Sequence, residues 1–147
     1  MSIIKAIKIN PNLQLNSNML GWTGNEFFIE DVELISDLDG DFSDSIEANL
    51  DCRYPCAEYA CDISEHKNNT NLNTLIVDNN SLYDGKGAFK IGEYPQVFFG
   101  TALIIGTTLK GEFIDVETKD NFKIEIIILG QKEVEKQRME MIKLIET

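Results

Sequence analysis

Cys52, Cys56, Cys61 and His66 place four soft or borderline metal ligands within fifteen residues, in the spacing C-x3-C-x4-C-x4-H. Such a set could hold a tetrahedral zinc ion. Structural zinc sites use tight C-x2-C knuckles, and none occurs here, so these cysteines are expected to be small apolar or turn residues. Asp37, Asp39, Asp41 and Asp44 stand at the near-alternate positions a hard cation would want. An EF-hand loop would also need Gly where Phe42 stands and Glu where Ala48 stands, so an acidic turn without an ion is expected. His66 is the only histidine, and any Ser-His or Cys-His nucleophile pair would have to use it. The chain has no G-x-S-x-G elbow and no H-E-x-x-H, and Gly85-Lys86-Gly87 lacks the phosphate-loop spacing. Trp22, the single tryptophan, reads as a core or loop anchor rather than a sugar-stacking platform. The expectation is a chain with no catalytic residues, no metal and no cofactor: not an enzyme.

Charge carries more information. Of 25 acidic residues, 13 fall between Glu26 and Glu65, a window whose one basic residue is Arg53, so the whole net charge of −12 resides there. Like charges held together repel one another and oppose compaction, whereas solubility asks only for a modest net charge. A negative face for a positive partner follows. The pI near 4.4 argues against binding DNA, RNA or anionic lipid, whose phosphates would be repelled. The N-terminal sequence has no signal-peptide pattern, and the apolar runs fall short of the roughly 18 residues a membrane span requires. Three cysteines, an odd number, do not suit a secreted disulfide scaffold. These features predict a cytoplasmic protein with reduced thiols, forming a single domain over residues 1–147.

The elements that must position the acidic groups can be read from periodicity. Ile3–Ile9 alternates and predicts a strand that ends at Asn10-Pro11-Asn12. Glu26–Ile35 reads as a second strand. Ser45–Cys52 has a period of two, with Ile46, Ala48, Leu50 and Cys52 on one side, which favours a strand over a capped helix. Cys56–His66 fits a strand with Ala57, Tyr59, Cys61 and Ile63 inward, and equally a helix opened by Pro55. Leu72–Val77 and Ala88–Ile91 read as short strands, and Gln96–Ile105, apolar on both faces, as one central strand. Leu109–Glu117 and Phe122–Leu129 suggest a hairpin. Gln131–Glu146 predicts a helix with Val134, Met141, Ile142 and Ile145 on its apolar side. The predicted fold is α+β: a mostly antiparallel β-sheet, sandwich-like or half-barrel, with a C-terminal α-helix.

If Ser45–Cys52 and Ala57–Ile63 paired as a hairpin, Glu47 would face Asp62 and Asp51 would face Glu58. Like charges directly opposite cost up to about 1 kcal/mol per pair. The predicted partner-binding face therefore comprises Asp37, Asp39, Asp41, Asp44, Glu47, Asp51, Tyr54, Glu58, Tyr59, Asp62 and Glu65, with Tyr54, Tyr59 and Phe42 as apolar anchors. In size and charge the chain resembles toxin-immunity proteins as a class. That resemblance implies a binding protein that neutralises a basic, nuclease-type toxin. A nucleic-acid mimic that blocks a DNA-binding enzyme, and a β-rich structural or assembly protein, are the alternatives.

Overall fold

The computed structural model of the chain describes residues 2–11, 28–50, 57–65, 71–78, 87–91, 96–117 and 126–146. In chain order its elements are β1 (Ile3–Ile9), β2 (Ile29–Ile35), α1 (Ser43–Leu50), β3 (Ala57–Glu65), β4 (Leu72–Asp78), β5 (Ala88–Ile91), β6 (Phe98–Phe99), β7 (Ala102–Thr107), β8 (Phe113–Ile114), β9 (Ile126–Ile128) and α2 (Gln131–Glu146). A main antiparallel sheet runs β2-β1-β7-β4-β3, with β8 also on β7, and a smaller antiparallel sheet runs β6-β5-β9. The fold is α+β, as the sequence predicts.

Alternation along the strands builds layers. On β1, Ile7 and Ile9 join Phe89, Ile91, Phe98 and Ile126 of the small sheet in one buried cluster. Ile4 and Ala6 point the other way, into a second cluster with Phe42, Ile46 and Leu50. On β7, Ala102 and Ile104 face the small sheet while Leu103 and Ile105 face α1. The small sheet turns Ala88 and Phe99 outward onto Leu129 and Val134, with Met141 alongside, so α2 covers its far side. The layers are α1, main sheet, small sheet and α2. Strands buried on both faces lose the clean apolar–polar alternation that a half-exposed strand shows.

Four predicted elements are corrected. Ser45–Cys52 is not a strand: Ser43–Leu50 is helical. Ile46 and Leu50 are four apart, so they share one side under either period, and both are buried beneath α1. What distinguishes the helix is Ala48, which is exposed. Gln96–Ile105 is not one strand. Gly100 has φ 79° and divides it into β6 in the small sheet and β7 in the main sheet. The run is apolar on both faces because both halves lie between layers. Leu109–Glu117 and Phe122–Leu129 do not form a hairpin among the described residues: β8 pairs with β7 and β9 with β5, in different sheets. On α2, Val134 is fully buried and Met141 half-buried, but Ile145 is exposed.

Cys56–His66 resolves as a strand, Ala57–Glu65, and the expected inward set does not hold. Register shifts between Tyr59 and Cys61 and between Asp62 and Ser64 reset the alternation. Tyr59 lies opposite Ile76, on the α1 side, and is 58 % exposed, whereas Cys61 lies opposite Leu75, towards the small sheet, and is buried. Ala57 is exposed, and Ala60 and Ile63 pack against the inter-sheet cluster.

Candidate functional site: an acidic face around α1

The turn that leads into α1 is built from its own carboxylates. Asp37 Oδ1 accepts the backbone N–H groups of Asp39 (2.8 Å) and Asp41 (3.0 Å). The Asp37 N–H donates to the Asp41 carbonyl, and the Gly40 N–H donates to the Asp37 carbonyl. Gly40 sits at φ 84°, where a side chain would be strained. Asp41 Oδ1 then accepts from the Ser43 N–H (2.9 Å) and the Ser43 hydroxyl (2.6 Å), and these bonds hold its carboxyl below the usual range. The Ile46 N–H donates to the Phe42 carbonyl, the first turn of the helix. Asp37 and Asp41 therefore serve the backbone, a structural duty that composition alone does not reveal.

Asp39 and Asp44 are exposed beside this turn, and Asp44 lies in the first helical turn, where a negative charge is favoured. Glu47 is half-buried on the same helix. Ser45 Oγ accepts the Ile35 N–H, fastening the helix start to the end of β2. Packing of α1 over β2, β7 and β3 sets these groups on one side of the main sheet.

Asp62 belongs to that same side. It lies opposite Thr74 in register, and its carboxylate accepts the Thr74 hydroxyl at 3.0 Å. Thr74 and Thr107 are also joined by a 2.6 Å hydroxyl contact, which continues the polar row across β4 and β7. Tyr59 shares this side as an exposed aromatic.

Glu58 does not. Its register partner Val77 packs towards the small sheet, so the predicted stripe of Glu58 with Asp62 is split by the strand alternation. The predicted hairpin pair Glu47–Asp62 does not form, because Glu47 is helical and β3 pairs with β4, and Asp51 of the predicted Asp51–Glu58 pair lies outside the described residues. Phe42 is no anchor: it is buried under α1, edge-on to Phe113 at 6.4 Å between ring centroids. Glu65 ends β3 opposite Leu72. Asp51, Tyr54, Cys52, Cys56, His66, Trp22, Gly85 and Lys86 lie outside the described residues. Cys61 is buried in the cluster between the two sheets. Among the described residues no three His, Cys, Asp or Glu side chains are grouped to hold a metal ion.

Sequence reasoning overlooked how two further acids of the window are offset. Glu30 stands directly opposite Lys8, and Glu33 directly opposite Lys5, on the β1–β2 ribbon. Opposite charges in such cross-strand positions stabilise the pair. The register signal was available only once the two strands were aligned. Of the other described acids of the window, Asp31 stands opposite Ile7 on the same ribbon, and the rest lie on the turn, α1 and β3. Among the described residues no helix is long and apolar enough to cross a membrane. Comparison with protein-family models, curated proteins and solved structures gives no match.

Proposed function

We propose that the chain is a small acidic binding protein that neutralises a basic protein partner, acting as an immunity-type inhibitor of a nuclease-type toxin. The observation that supports this reading most is the shared placement of Asp39, Asp44, Glu47 and Asp62 on the α1 side of the main sheet, with Tyr59 exposed among them. Carboxylates of this kind steer a cationic protein and raise the association rate towards about 10⁸–10⁹ M⁻¹s⁻¹, which suits an inhibitor that must intercept a lethal enzyme. An exposed aromatic inside a charged rim is the anatomy of a binding hot spot. Asp37 and Asp41 take no part in the contact on this reading, since their oxygens hold the turn.

Affinity capture from cells that make the protein tests the proposal, with Asp39→Asn, Asp44→Asn, Asp62→Asn as the control bait. The expected result is one basic protein retained by the wild type and lost from the control, whose nuclease activity is suppressed by a stoichiometric amount of the chain. Retention of several DNA-binding proteins, all released by added DNA, would favour a nucleic-acid mimic instead. Equal retention by both baits would contradict the assignment to this face.

A further inference from the structure

The inner stripe of α2 outruns the small sheet that it covers. Val134 is fully buried there, the Arg138 guanidinium lies over the Phe99 ring at 5.6 Å from its centroid, and Met141 packs alongside. Ile145 continues the same stripe one turn further on, yet it is 59 % exposed. Met139, Ile142 and Ile145 follow at every third position and so share a side of the helix. Met139 is 60 % exposed and Ile142 half-buried. Leu144, on the other flank, is 72 % exposed. Three of the nine large apolar side chains exposed among the described residues therefore fall on the C-terminal half of one helix. Hydrophobic residues scattered singly over a surface do not concentrate in this way.

We infer that the C-terminal half of α2 packs antiparallel against the same stretch of a second copy of the chain. Charge argues for that occupant. The net charge of −12 resides between Glu26 and Glu65, and the acidic turn and α1 form the outer layer on the far side of the molecule. α2 itself carries four basic and four acidic side chains, which balance. Two copies meeting across α2 do not set one acidic face against the other, and a basic partner gains nothing there by charge. The helix is also self-complementary. Lys136 stands three residues before Met139, and Glu146 four after Ile142. A two-fold axis crossing the helix between Met139 and Ile142 brings Lys136 of each copy to Glu146 of the other, with the apolar side chains between the two ion pairs. Glu135, which would also approach Glu146 there, is held by Arg138 at 3.5 Å. A parallel approach would instead align Lys143 with Lys143 and Glu146 with Glu146. In the antiparallel pair both acidic faces point outward and stay open to the partner proposed above, although the pairing does not depend on that reading.

The test is sedimentation equilibrium of the full chain between about 1 µM and about 1 mM, the range in which a small interface associates. The expected result is a mass that rises with concentration from 16.6 kDa towards twice that value. Association should strengthen with added salt, because screening relieves the repulsion that remains between two net-negative copies. Met139→Glu, Ile145→Glu together should weaken it at least tenfold. Both side chains are exposed, so the unfolding midpoint of this variant should match the wild type and show that the fold is kept. Amide shifts that depend on concentration should be confined to residues 136–146. A mass of 16.6 kDa throughout would overturn the inference, and a protein captured by the wild type but lost by Met139→Glu, Ile145→Glu would then be the occupant of this face. Association that the variant leaves unchanged, but that Ile3→Ser, Ile35→Ser removes, would overturn it in favour of pairing at the β1–β2 ribbon.

Discussion

The Ser43 hydroxyl donates to the Asp41 carboxylate at 2.6 Å, and the same oxygen accepts the Ser43 N–H. This pair joins the acidic turn to the start of α1. Since the bonds lower the Asp41 pKa from its ordinary 3.8, the contribution to helix stability is present in full above that value and is lost as pH falls through the lower folded value. The protection of the Ser43–Leu50 amides, taken relative to their intrinsic exchange rates at each pH, should therefore fall in that acidic range. In Asp41→Ala that protection should already be reduced at neutral pH.

Tyr59→Ala separates binding from folding. The side chain is exposed on an edge strand, so truncation should cost less than about 1 kcal/mol of stability. As an anchor within the acidic rim it should cost about 2 kcal/mol or more of affinity for the captured partner. Denaturant midpoints and calorimetric titration of the same preparation give the two numbers.

Leu103 and Ile104 are neighbours on β7 and fully buried against opposite layers. Leu103→Ala and Ile104→Ala should each destabilise by about 2–5 kcal/mol, read from denaturant unfolding. A mild effect at Leu103 alone would mean that α1 is held loosely.

Gly106→Ala should be destabilising by about 1–3 kcal/mol or more, because a Cβ there would collide with the Asp115 carbonyl and with Ile114, the register partner of Gly106. Displacing Asp115 would also break its bond to the Lys5 N–H. Thermal or denaturant unfolding measures the loss, and shifts at Lys5 report the displacement.

The sheet, its short strands and α2 were legible because Ile3–Ile9, Leu72–Asp78, Ala88–Ile91 and Gln131–Glu146 carry patterns that local sequence decides. Three features were not legible, each for a physical reason. Ile46 and Leu50 satisfy a period of two as well as one helical turn, and the cap at Asp41 and Ser43 arbitrates. The bend at Gly100 is hidden by burial on both sides of it. Tyr59 changes face because the bulge at Ala60 resets the alternation of β3. The acidic window was plain in composition. Its division into turn-holding carboxylates at Asp37 and Asp41, offset ones at Glu30 and Glu33, and exposed ones at Asp39 and Asp44 depends on register and hydrogen bonds.

The most direct measurement is the affinity of the captured basic protein for the wild-type chain and for Asp39→Asn, Asp44→Asn, Asp62→Asn, at low and at physiological salt. The three changes should leave stability within about 1 kcal/mol, since the relief of repulsion opposes the lost charge at the helix start. Affinity should fall at least tenfold, and its dependence on salt should shrink. Equal affinities and equal salt dependence for the two proteins would contradict a binding role for the acidic face around α1.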